Sequence, residues 1–141
     1  YDINGKKNTK PRTYRRILDK LYLKYSKKKK KSKSIHRKMT RKLLEGLKRN
    51  INHINKLLDA FDDKNLPFPL NQHEQRMLWI INTAYEQQKS MYDTNTHRCS
   101  DRIVSIFQPH VRPIPRGKTN AQIEFGSKLG VSLDQGFARI N

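Results

Sequence analysis

From Ile123 onward the side chains alternate in chemistry, and that alternation restricts the C-terminal third of the chain to a sheet. Ile123, Phe125, Leu129, Val131 and Leu133 fall on one face, with Ser127 as the polar exception, while Glu124, Gly126, Lys128, Gly130, Ser132 and Asp134 fall on the other. A period of two over this length is incompatible with the 3.6-residue period of a helix. It predicts a half-buried strand, with its apolar face on a core and its polar face toward solvent or ligand. Asp134-Gln135-Gly136 has turn composition, so Phe137 to Ile140 is expected to return as the second strand of a hairpin. Upstream, Arg102 to Phe107 is rich in β-branched residues and reads as a short strand closed by Gln108-Pro109.

The residues before His97 carry helical patterns instead. From Pro11, the residues Tyr14, Ile17, Leu18, Leu21, Tyr22 and Tyr25 form an apolar stripe within a ring of Arg and Lys. Pro11 suits a first helical turn, where its missing N–H costs nothing. The run Lys27–Lys31 then repels itself and buries nothing, which predicts a break or a disordered link. Leu44, Leu47, Ile51, Ile54, Leu58 and Phe61 repeat at alternating spacings of three and four, a heptad seam that Met39 extends backwards. Ser34 is the expected N-cap of this helix, Gly46 a mild weak point, and Asp62-Asp63 followed by Asn65-Leu-Pro-Phe-Pro69 its end. Asn71 with Glu74 three residues on has the form of a capping box opening another helix, striped by Met77 or Leu78, Ile81, Ala84 or Tyr85, Gln88, and Met91 or Tyr92. Two long helices joined by a short turn are expected to pack antiparallel. The fold class is therefore α+β. A basic helix with a lysine-rich linker (1–33) leads to a helical hairpin (34–96) and then to antiparallel sheet (97–141).

Charge narrows the partner class. The formal net charge is +19, and residues 1–61 hold 21 Lys/Arg against 4 Asp/Glu while the other 80 residues hold 10 against 8. A basic field confined to one half of a chain concentrates polyanions there, and nucleic acid is the commonest such partner. An anionic membrane surface fits less well, because the lysines lack neighbouring aromatic or aliphatic anchors. No apolar run approaches the ~20 residues needed to span a bilayer. No signal-peptide core is present, and the lone Cys99 agrees with a reducing compartment, so a cytoplasmic location is expected.

The run DRIVSIFQPHVRPIPRGKTNAQIEFGSKLGVSLDQGFARI resembles the middle of a bacterial insertion-sequence transposase of the DDE type. In that family a D-R-I-V-S-I-x-Q-P-H-V-R-P-I-x-R-G-K run leads into an E-F-G-x-K strand of the RNase H-like catalytic domain. The likeness covers about forty residues almost continuously, far more than a short motif. Upstream, K-P-R-T-Y-R, the lysine-rich linker, the long helices and the segment Tyr85 to Tyr92 follow the family by order more than by identity. The resemblance implies an α+β chain in which a basic helical hairpin insertion runs into antiparallel strands of an incomplete RNase H-like fold. The chain begins at Tyr1 and stops while a strand is running, so an internal fragment is expected. The full-length enzyme would cut and rejoin transposon DNA with Mg2+ held by three acids, would sit with the bacterial nucleoid, and could act as a homodimer. This chain by itself is expected to bind DNA (transposon ends or flanking duplex), to hold no cofactor, and to catalyse nothing. The alternatives are a stand-alone basic helical nucleic-acid-binding protein and a decayed transposase remnant.

Individual residues divide accordingly. Asp101, Glu124 and Asp134 invite a two-metal reading. In the resembling family, however, the first catalytic aspartate precedes the helical region and the other acids follow this hairpin, so the three read as turn and surface residues. His97, Cys99 and His110 supply at most one of the two ligand pairs a zinc site needs. His36, His53 and His73 fall on polar helix faces, and Trp79 with Tyr85 reads as core. The candidate DNA contacts are Lys27, Lys28, Lys29, Lys30, Lys31, Arg37, Lys38, Arg41 and Lys42, which would meet phosphate and carry no sequence readout; a solvated linker is the plain alternative. A second candidate group is Arg112, Arg116 and Lys118, projecting from the Pro-stiffened segment Gln108–Lys118 beside Gly117.

Overall fold

The computed structural model describes residues 11–118, 121–127, 130–134 and 136–140. The expectations for residues 1–10, Lys128, Leu129 and Gln135 lie outside the described residues, as do those for the side chains of Arg116, Lys118 and Asp134. Three helices, α1 (Arg15–Ser26), α2 (Lys33–Asp62) and α3 (Gln72–Asp93), precede four strands, β1 (Val111–Lys118), β2 (Ala121–Ser127), β3 (Val131–Asp134) and β4 (Phe137–Ile140). The chain is α+β, and its strands form two antiparallel two-stranded sheets, β1–β2 and β3–β4. It divides into two compact units, Tyr1–Leu70 and Asn71–Asn141.

In the first unit α1 and α2 form an antiparallel hairpin. The guanidinium of Arg49 lies 4.5 Å from the Tyr14 ring centroid, and the Tyr25 hydroxyl is 2.7 Å from His36 Nδ1. Between these points Leu18 lies over Gly46. Numbers rise along α1 as they fall along α2, which defines the antiparallel sense. Gly46, expected to weaken the helix, is instead the notch that lets α1 approach. A Cβ built there would sit 2.4 Å from Leu18 Cδ1. Gly46→Ala should therefore gain up to about 1 kcal/mol of helix propensity and lose much of it in moving Leu18. Gly46→Leu cannot be accommodated by a rotamer change, and should release α1 from α2, read as loss of protection of the α1 amides in hydrogen exchange.

The helix ends follow local chemistry. α1 starts at Arg15, four residues later than Pro11 suggested, because Tyr14 is in the left-handed region (φ 55) and breaks the helical path. The N-cap of α2 is Ser32 and not Ser34; the Ser32 hydroxyl accepts from the Ile35 N–H at 3.3 Å. α2 stops where Asn65 turns left-handed (φ 49), with the Leu66 N–H donating to the Phe61 carbonyl and the Asn65 N–H to Asp62. That is a Schellman motif with Asn in the position where Gly is usual. α3 ends the same way, with Asn95 at φ 54 and the Thr96 N–H on the Met91 carbonyl. At its start the Asn71–Glu74 capping box is complete in both directions.

Among the described residues the buried apolar side chains are Met39, Leu44 and Ile51 on α2, Ile80, Tyr85 and Met91 on α3, and Ile103. The α2 seam was legible, although its burial fades toward the C-terminal end, where Ile54 is exposed. On α3 the aromatic expectation fails for one member. Tyr85 is buried, but Trp79 is 64% exposed. Six residues along a helix turn through roughly 240° beyond one full rotation, so the two rings cannot share a stripe.

In the second unit the side-chain amide of Gln87 braces the segment after α3. Its Oε1 accepts from the Ile103 N–H at 2.8 Å, and its Nε2 donates to the Asp101 carbonyl at 3.3 Å. Residues 102–107, expected as a strand, are irregular. The Ile103 N–H is met by a side chain instead of by a ladder. Gln87→Ala leaves the half-buried Ile103 N–H unmet and should cost about 1–3 kcal/mol, with faster exchange of that amide as the readout.

The sheet differs from expectation in three respects. Gln108–Lys118, read as an extended loop, contributes β1 from Val111 onward. Pro113 and Pro115 are two apart, so their missing N–H groups fall on one side of the strand, and β1 pairs only with β2. The alternating run beginning at Ile123 is not continuous: β2 ends at Ser127 and β3 starts at Val131, in another sheet. Alternation reports extended backbone but not which strand pairs with which. The hairpin turn itself is as read, with Asp134 opposite Phe137 and Gly136 at φ 86, a conformation a two-residue connection favours. Lastly, the apolar face is open. Phe125 is 65% and Leu133 80% exposed, because two-stranded ribbons bring no second layer to cover them.

Candidate nucleic-acid interface

The lysine run is the turn of the α1–α2 hairpin. α1 stops at Ser26, whose hydroxyl donates to the Leu23 carbonyl at 3.0 Å, and α2 restarts after the Ser32 cap. Between them Lys27, Lys28, Lys29, Lys30 and Lys31 are all exposed. The expected break is thus a connection between two packed helices, and its charges project from one end of the hairpin. Tyr25 anchors that end. Its hydroxyl meets His36, and Lys31 Nζ lies 5.4 Å from its ring centroid. His36, expected to have no particular role, therefore ties the last turn of α1 to the first turn of α2. Tyr25→Phe should cost no more than about 1 kcal/mol, as the bond is solvent-exposed, and should broaden the amide resonances of Lys27–Lys31.

The first turn of α2 contains no acid, so its free N–H groups add a positive partial charge to the lysines around it. Lys38 and Arg41 are exposed, whereas Arg37 and Lys42 are half-buried. Arg41 pairs with Glu45 at 3.7 Å, an exposed i,i+4 contact contributing about 0–1 kcal/mol that phosphate could displace. Lys42 borders a small cleft of about 160 Å3 with Tyr14, Leu18 and Arg49. Lys24 and Lys33 flank the same turn and were not among the expected contacts; their places in the last turn of α1 and the first of α2 were the available signal.

Arg112, Arg116 and Lys118 belong to the other unit. Arg112 does not project. Its Nη1 donates to the Pro109 carbonyl and, at 3.2 Å, to that of Val111, and its Nε lies 3.9 Å from Asp101 Oδ1. This side chain holds the entry to β1. At Arg116 and Gly117 the ladder shifts register between Pro115 and Lys118, a local bulge in β1.

Among the described residues no three His, Cys, Asp or Glu side chains are grouped so as to hold a metal ion. Asp101 is spent on Arg112, and Cys99 is a half-buried free thiol donating to the Ser100 carbonyl. In the second unit Lys89 donates to Asp93 one turn on, and this hydrogen bond raises its pKa above the ordinary 10.5. The contribution of the pair is therefore present at neutral pH and fades as the pH climbs through the raised lysine value. His53 Nδ1 and Asn50 Oδ1 are buried without hydrogen-bond partners. Among the described residues no helix is long and apolar enough to cross a membrane.

No protein-family model, curated protein sequence or solved structure matches the chain.

Proposed function

We propose that the chain is a DNA-binding internal part of a DDE-type transposase, holding duplex through the turn of the α1–α2 hairpin. The observation that carries this is the hairpin end, where five consecutive exposed lysines lie between two packed helices, beside an α2 first turn without acids. Contacts of this kind go to phosphate and supply affinity that salt weakens. The DNA would be transposon-end or flanking duplex.

The transposase assignment rests on the run from Asp101 to Ile140. It is supported by a strand hairpin whose apolar side chains, Val131, Leu133 and Phe137, are exposed. Such faces suit strands of a larger RNase H-like sheet covered by elements outside this chain. In that reading the metal-holding acids also lie outside it. The full enzyme would bind Mg2+ and could assemble as a homodimer.

Two measurements test the assignment. The 141-residue chain should retard duplex DNA in a gel and neither nick nor join it. In the complete enzyme, Asp101→Asn and Glu124→Gln should leave strand cleavage within about threefold of wild type, as expected for carboxylates outside the reacting centre. A loss of several hundredfold at Glu124→Gln would place a catalytic acid inside this chain and overturn the reading.

A further inference from the structure

The second unit contains a cavity of about 720 Å3, within the range of small-ligand sites. Its walls differ in chemistry. His97, Arg98 and Arg102 line it from the segment after α3, and none of its lining residues is Asp or Glu. Pro113, Ile123 and Phe125, from the paired strands β1 and β2, line it too. The two arginines are the informative part. Among the described residues neither has an ion-pair partner. Arg102 Nε is also sealed from solvent with no hydrogen-bond partner. Arg102 is half-buried and Arg98 is exposed; a half-buried guanidinium without a counter-charge is costly, and an incoming anion would relieve that cost at Arg102. Guanidinium forks match phosphate oxygens geometrically. A phosphate alone, however, would leave most of the cavity and its apolar wall unused.

We propose that this cavity binds a nucleotide, its phosphate on Arg98 and Arg102 and its base against Phe125, with Pro113 and Ile123 beside it. Phe125 offers an exposed aromatic face of the kind on which bases of any sequence stack. The site shares no residue with the lysine turn. The ligand could be a free mononucleotide or one nucleotide of a single strand, and the chemistry of recognition is common to both.

The test uses the full chain and isothermal titration with four probes: thymidine 5′-monophosphate, thymidine, inorganic phosphate, and a 5′-phosphorylated oligothymidylate. The monophosphate should bind at least about tenfold more tightly than either thymidine or phosphate, since each lacks one half of the recognised group. An oligonucleotide at least tenfold tighter than the monophosphate, and displaced by it, identifies a strand as the source; equal affinity identifies the free nucleotide. Arg98→Gln with Arg102→Gln should weaken the monophosphate at least tenfold. Phe125→Ala, at an exposed position where folding is not at stake, should weaken it about fivefold or more. Replacing Lys27–Lys31 by Ser should leave monophosphate binding unchanged while abolishing duplex retardation, which separates this site from the proposed duplex interface. Phosphate binding as tightly as the monophosphate would overturn the proposal. So would monophosphate binding unaffected by Phe125→Ala, or lost with the lysines.

Discussion

Replacing Lys27, Lys28, Lys29, Lys30 and Lys31 by Ser should remove most of the affinity of this chain for duplex DNA and most of its dependence on salt. Each phosphate contact contributes about 0.9 to the slope of log K against log salt, so five lysines account for up to about 4.5. Between 50 and 200 mM salt, a slope of that size corresponds to a loss of roughly 500-fold in affinity. The variant should lose about that factor less over the same range. The measurement is fluorescence anisotropy on a labelled duplex at four or five salt concentrations, with scrambled sequences alongside, because contacts to phosphate should not distinguish them. The substitution spares the fold, since the five side chains are exposed and the hairpin is held by Leu18 at Gly46 and Tyr25 at His36. A slope change below about 1 would assign the binding to another part of the chain.

The second large effect is on stability. Ile80, only 2% exposed, is the most completely buried large side chain described. Ile80→Ala should cost about 2–4 kcal/mol, from the lost transfer of its methyl and methylene groups and the cavity left behind. That is a large share of the ~5–15 kcal/mol that stabilises an ordinary domain. Its neighbour provides the control: Trp79→Ala removes a much larger but exposed side chain and should change stability by less than about 0.5 kcal/mol. Urea titration followed by far-UV circular dichroism compares the two. Amide exchange along α3 should quicken throughout for Ile80→Ala and scarcely move for Trp79→Ala. The opposite ranking would mean that Trp79 is covered in solution.

This pair shows where a reading from sequence stops. Ile80 and Trp79 are adjacent, both apolar, and only the rotational phase of α3 decides which is buried. The proposed stripe included Ile81 and Tyr85 and passed over Ile80, because spacing alone tolerates a shift of one position when several neighbours are apolar. Arg112 is a similar case. An arginine in a Pro-rich segment looks free to reach DNA until the fold sets the Pro109 carbonyl and Asp101 beside it. Gly46 reads as a weakness in an isolated helix and becomes a point of close approach once α1 lies across it.

The features that residues decide among near neighbours were present in the chain itself. The Asn71–Glu74 box, the seam of α2 with its stop after Asp62, the turn at Gly136 and the placement of the basic charge depend on bonds and contacts spanning a few residues. The α+β class follows from the same local periods. What required the tertiary structure was every choice of distant partner: α1 as the helix packed on α2, β1 as the partner of β2, the division of one alternating run between two sheets, and Gln87 as the brace of residues 101–103. Local propensity is set by the chain within a turn or two of each residue. Pairing depends on which complementary surface chain closure brings near, and no window of sequence contains that surface.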